Sequence, residues 1–280
     1  MKNLYLFIFV VITSFNNGFS QKSNNSITKY TASNKGKFFF FWGGNRESFS
    51  KSDINFKGAD YDFTLYNVTA HDKPKGWHID YINPKRMTIP QTNFRMGYFI
   101  KDHYNISIGI DHMKYVMFQD RSVKIDGYYP NQGSYNEVLP NNQVLLTEDF
   151  LTFEHTDGLN YIHTEIARVD DLSKTIGLPN TDKFQINITE GIGGGFLYPK
   201  TNAKLLGKDR HDDFNISGYG ISAKIGLNFT FYKHFFIQTD LKGGYINMPD
   251  IKTTYNNADS ASQHFLFWER MIAFGGIFKI

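Results

Sequence analysis

The chain has 280 residues, 41% of them apolar and 17% aromatic, with a formal charge of +3 and no cysteine. Without cysteine there are no disulfides and no thiolate metal sites. The small, interspersed charge offers no basic footprint for nucleic acid, and beyond the N-terminal segment no run of eighteen apolar residues supplies a spanning helix.

Residues 1–20, MKNLYLFIFVVITSFNNGFS, place Lys2 ahead of an apolar run from Leu4 to Val11 that extends to Phe15, followed by the small residues Gly18 and Ser20. The run is short and the polar stretch QKSNNSITK comes next, so the pattern predicts an export signal cleaved before Gln21. Residues 21–35 read as a polar leader and residues 36–280 as one domain.

Lys35 to Asn45, KGKFFFFWGGN, opens the apolar material as a first strand. Arg46 to Gln91 reads as a long loop carrying two short strands, near 53–56 and 61–68. Thr92 to Ile100 and Tyr104 to Met117 form a hairpin about the turn Lys101 to His103, with Ile106, Ile108 and Ile110 alternating against Asn105, Ser107, Gly109 and Asp111. Asp120 to Glu148 is a second long loop, with Leu151 to His155 as its return limb. Leu159 to Val169 is the next strand; a moderate connection leads to Phe184 to Leu197, and Tyr198 to Asp213 is a charged loop. From Tyr219 to Phe231 the odd positions are apolar or aromatic and the even ones are Gly220, Ser222, Lys224, Gly226, Asn228 and Thr230. After a tight turn at Lys233 and His234, Phe235, Ile237 and Leu241 alternate with Gln238, Asp240 and Lys242. Met248 to Gln263 is the last loop and His264 to Ile280 the last strand.

A period of two identifies strands, and their length suits tilted membrane strands, which need ~9 to 11 residues. The count is eight, or ten if the two short strands also span. Connections two, four and six are short while one, three, five and seven are long. That asymmetry predicts an all-β fold, a closed antiparallel transmembrane β-barrel with long external loops. Closure follows because an open sheet edge cannot be satisfied in hydrocarbon. A lipocalin-like soluble barrel also alternates, but its apolar side chains point inward, and Gly, Ser, Asn and Thr supply too little charge for its outer face.

The last strand, FLFWERMIAFGGIFKI, keeps Trp268, Phe274 and Phe278 at alternate positions and ends at Ile280, where an aromatic is usual. With the export signal and the loop asymmetry, this resembles a small outer-membrane β-barrel of the OmpA/OmpX-like type. The resemblance covers about residues 36–280. It implies an integral outer-membrane protein, delivered by the barrel assembly machinery, with outer-membrane lipid and lipopolysaccharide as neighbours.

Projecting the strands onto two faces sends Arg95, Asp111, Glu165, Lys224, Asp240, Lys242 and Glu269 inward. A lumen of eight strands is narrow enough for side chains to fill it, so these mixed charges predict a paired ionic plug. Glu190 and Arg270 fall on the lipid face, where a cation at mid-bilayer costs ~2 to 4 kcal/mol. The stretch from Glu154 to Glu165 resembles the region of small barrel enzymes that deacylate lipid A with His, Ser and Glu. Its candidates are His155, Asp157 and Glu165, with Asp157 standing where the serine belongs; a hydrolase needs a nucleophile beside an oriented base. The histidines lack metal-ligand spacing, and Gly193 to Gly195 lack the Lys and Ser or Thr of a phosphate loop. No metal or other cofactor is therefore expected. The expected role is structural, adhesive or partner-binding, with the loops at about 46–91 and 118–157 meeting an envelope protein or lipopolysaccharide; the alternatives are a lipid A deacylase-like hydrolase and a small transport pore.

Overall fold

The computed structural model describes residues 33–73, 91–131, 138–139, 141–211 and 213–279. The expected signal, most of the leader and Ile280 lie outside the described residues. Sixteen strands follow in chain order: β1 (Lys37–Phe49), β2 (Ser52–Lys57), β3 (Asp62–Val68), β4 (Ala70–His71), β5 (Thr92–Phe99), β6 (Tyr104–Met117), β7 (Ser122–Tyr128), β8 (Val138–Leu139), β9 (Gln143–Leu145), β10 (Leu151–Asp171), β11 (Phe184–Leu197), β12 (Asn202–Leu205), β13 (Lys208–His211), β14 (Gly218–Phe231), β15 (Phe235–Lys252) and β16 (Ser260–Lys279).

Eight of them form an antiparallel ring in the order β1-β5-β6-β10-β11-β14-β15-β16. The ring closes where β16 pairs with β1, from Lys37↔Lys279 to Phe49↔Phe267. Closure leaves no spanning strand with an open edge, which hydrocarbon requires. The short turns lie at one end; there Tyr232 and Lys233 take positive φ angles of 50° and 66°, the geometry that lets a tight hairpin follow the strand twist.

The barrel has eight strands rather than ten. The short strands β2 and β3 exist, but β2 pairs with the upper part of β16, β3 pairs with β2, and the sheet continues through β7 and β9 to β8 outside the ring. Their Ile54, Phe56, Phe63 and Leu65 are fully buried on one face, while Asp53 and Lys57 are exposed on the other. A strand with charge on its outward face is at home in water, not in lipid. The expected return limb, Leu151 to His155, is continuous with the following strand as β10, through a bulge between His155 and Leu159. Gly158 turns that bulge at φ +138°, and a Cβ there would lie 2.7 Å from the Asn160 side chain, so the bend depends on glycine.

Each long strand changes character partway along. In β6 the outward residues Tyr104, Ile106 and Ile108 are exposed and apolar, and the inward Asn105, Ser107 and Asp111 are buried and polar. Two residues later the inward set becomes Met113, Tyr115 and Met117, all buried, while Lys114 faces outward between them. β15 and β16 switch likewise, with inward Asp240 and Lys242 giving way to Ile246 and Met248, and inward Glu269 to Phe267 and Phe265. The apolar upper lumen merges with β2, β3, β12 and the 144–150 segment into one core that includes Phe56, Phe63, Phe150, Phe153, Leu205 and Phe265. The long-loop end of the barrel is thus a folded cap. On these contacts, Phe63→Ala, which vacates a site against Phe56, Tyr129 and Phe150, is expected to cost about 3 to 5 kcal/mol. Limited proteolysis should then cut within the cap while the boiling-dependent gel shift of the barrel persists.

Candidate functional site

The lumen is built in layers. At the short-turn end Phe39, Phe41, Phe99 and Phe236 form an aromatic collar. Above it an amide and hydroxyl wall is internally bonded: Asn187 Nδ2 donates to Asn228 Oδ1 at 3.2 Å, Asn228 Nδ2 to Gln238 Oε1 at 2.9 Å, and Gln238 Nε2 to Thr189 Oγ1 at 3.0 Å. Gln238 also donates to Asp240 Oδ1 at 2.5 Å, joining this wall to the ionic layer.

In that layer the seven inward residues read from the sequence meet one another. Arg95 binds Glu165 through Nη1 and lies 3.4 Å from Asp111 through Nη2. Lys224 Nζ bridges Glu165 Oε1 at 2.8 Å and Asp240 Oδ2 at 3.0 Å. Lys242 binds Asp111 and lies 3.4 Å from Glu269. The strand register produces this meeting. Lys224 and Lys242 are cross-strand partners, as are Lys242 and Glu269, so three consecutive strands project charge at one level. Across the lumen, Gly109 and Gly193 leave the room: a Cβ at Gly109 would lie 2.9 Å from Arg95 Nε, and one at Gly193 would lie 2.9 Å from the Thr164 carbonyl.

Other members share the layer without having been singled out. Asn93 Nδ2 donates to Asp111 at 2.6 Å and to Glu269 at 3.0 Å. His163 Nε2 lies 2.8 Å from Arg95 Nη2 and 2.9 Å from Asp111 Oδ2. Asn45 Nδ2 reaches Glu269 at 3.5 Å. Their sequence signal was parity alone: Asn93 is two residues from Arg95 and His163 two from Glu165. A charged residue on an alternating strand marks the inward face more plainly than a neutral one of the same parity does.

The three residues considered for hydrolysis are not brought together. Glu165 is locked to Arg95 and Lys224 in the ionic layer. His155 sits above the bulge, outside the spanning part of β10, fully buried between Tyr115 and Phe153. Its Nδ1 lies 3.0 Å from Thr201 Oγ1 and its Nε2 3.3 Å from Gln263. Asp157 faces outward and pairs with Lys200 at 3.3 Å. The alternation of β10 and its bulge separate these side chains although they are close in sequence. Among the described residues no three His, Asp or Glu side chains converge as metal ligands. Glu190 lies on the lipid face opposite Arg168, whose guanidinium pairs with Asp170 at 2.6 Å close to the short-turn end.

Two outcomes follow. Lys242→Met leaves Asp111 and Glu269 buried with a lost cation, and removing one partner of a buried pair costs about 3 to 5 kcal/mol; the urea midpoint of the heat-modifiable band should fall accordingly. Burial lowers the His155 pKa from about 6.5 to about 3. The unfolded chain therefore takes up a proton as pH falls below 6.5 while the folded cap does not, so cap stability declines towards acid, by at most about 1.4 kcal/mol per pH unit. His155→Gln should flatten that part of the pH dependence when urea-induced cap proteolysis is compared at pH 7.5 and 4.5.

No protein family and no curated protein matches the chain. Among solved structures it is similar to the outer membrane protein OprG from Pseudomonas aeruginosa, at 9% identity and TM-score 0.39, covering 90% of this chain and 100% of that one. It is similar also to Ail, the attachment invasion locus protein of Yersinia pestis, at 9% identity and TM-score 0.33, covering 87% and 99%. The N-terminal β-barrel domain of Pseudomonas aeruginosa OprF matches at 8% identity and TM-score 0.29, covering 87% and 98%. The barrel assignment stands on the closed eight-stranded ladder of this chain itself.

Proposed function

We propose that this protein is an integral outer-membrane barrel with a sealed lumen, whose folded cap meets a partner outside the cell. In this reading the long-loop end is external. One observation carries it: the lumen is filled twice over, by the ionic layer around Arg95, Glu165 and Lys242 and then by the apolar core around Phe265, Phe153 and Phe56. A conducting pore needs a continuous water path, and buried paired charges below a packed apolar core oppose one. That His155, Asp157 and Glu165 each engage different partners, Thr201, Lys200 and Arg95, favours this reading over a hydrolase.

The cap differs from a set of mobile loops. Its core is closed by stacked and edge-on aromatics, such as Phe56 on Phe63 at 5.4 Å and Phe56 on Phe153 at 5.5 Å. A surface packed on such a core contacts a partner with less loss of conformational freedom than unpacked loops would. An export signal at residues 1–20, assembly by the barrel assembly machinery, and contact with lipopolysaccharide or an envelope protein belong to the same proposal. Purified, heat-modifiable protein reconstituted in a planar lipid bilayer should show no long-lived conductance steps. Stable openings in most insertions would overturn the sealed-lumen reading.

A further inference from the structure

The outer surface of the barrel carries a second arrangement that the sealed lumen does not use. Arg46 and Arg270 are exposed on the outward faces of β1 and β16 and stand directly opposite each other in register. Like charges in cross-strand register repel, and an unpaired guanidinium on the lipid face is costly. Among the described residues neither is ion-paired with a carboxylate; Arg46 Nη1 donates only to its neighbour's carbonyl, Asn45 O, at 2.6 Å.

The register places this pair in depth. From Arg46 the cross-strand row runs through Arg270, Leu241, Ile225, Glu190 and Arg168 to Tyr104, the first residue after a short turn. Because the strands are tilted, one row descends across the whole spanning band. Arg168 at its foot has Asp170 and faces Glu190. Among the described residues the two arginines at its head have no such anion, and they lie towards the long-loop end.

Beside them the surface is hollow. A groove of about 460 Å³ runs over β14, β15 and β16, floored by Ala223 and Gly243 and walled by Ile225, Leu241, Leu266 and Trp268. A Cβ at Gly243 would stand 3.0 Å from the Trp268 ring, so the ring lies close over the backbone there, and a longer side chain at this position would compete with it for the groove. Leu241 is the register partner of Arg270, which makes the groove continuous with the charged pair. An unpaired dication next to an apolar channel is complementary to a lipid: a phosphate for the guanidinium forks and an acyl chain for the groove.

We propose that Arg46, Arg270 and the Gly243 groove form a binding site for one phosphorylated saccharolipid of the outer leaflet. The leaflet rests on reading the long-loop end as external. The test uses purified full-length barrel, with diphosphoryl lipid A as the probe and native mass spectrometry as the readout. Dephosphorylated lipid A, phosphatidylglycerol and inorganic phosphate are compared in parallel, and every variant is first checked for its boiling-dependent gel shift. Wild type is expected to retain diphosphoryl lipid A at least tenfold better than R46Q/R270Q, and better than Gly243→Leu, which fills the groove; Arg168→Gln should match wild type. Equal retention by folded R46Q/R270Q would overturn the site. So would equal retention of the dephosphorylated probe or of phosphatidylglycerol, or displacement by inorganic phosphate at matching concentration. Each of these would leave the bilayer conductance result untouched, so failure of this site is distinguishable from failure of the sealed-lumen reading.

Discussion

A strand that leaves lipid and enters water must exchange the chemistry of its two faces, and this constraint organises the molecule. Side-chain direction alternates without interruption through β6, yet the face that points inward is polar at Asp111 and apolar at Met113. In the bilayer the favourable place for Ile106 and Ile108 is outside, against acyl chains, and polar groups must pair within the lumen. Beyond the bilayer the outside is water, so Lys114 takes the outer face and Tyr115 the inner one. The ionic layer and the cap core are the two sides of that exchange, stacked in one tube.

The exchange explains why the lumen tolerates so much charge. Asp111, Glu269, Lys242 and Arg95 would be an unfavourable core for a soluble protein. Here the alternative is hydrocarbon, and each head group has partners on neighbouring strands. Asn93 binds both Asp111 and Glu269, so the neutral residues complete hydrogen bonds that the cations leave open.

Much of the ring was legible in the sequence because alternation is local. Phe184 to Leu197 and Tyr219 to Phe231 emerge as β11 and β14 with nearly the expected ends, and the inward charges could be named from parity. The cap was not legible in the same way. Its strands are short and their pairing is non-local: β2 lies beside β16, across more than two hundred residues of chain. The joining of Leu151–His155 to the following strand depended on the φ of Gly158, which composition does not reveal. The polarity exchange was written in Met113, Tyr115 and Met117, but a reading confined to alternation registers period and misses a change of sign. His155 and Asp157 show the related limit: proximity along a strand says little about proximity in space when a bulge lies between them.

The place of β16 carries one more consequence. It pairs with β15, with β1 and, above the ring, with β2. This strand is therefore both the seam of the barrel and the hem on which the cap sheet hangs. The segment from Ser52 to Val68 has one flank on β7 and the other on β16, so this sheet joins the ring through a strand far along the chain. The strand that closes the ring therefore also sets the register of the cap sheet on it, so a slip of β16 against β1 would displace barrel seam and cap together.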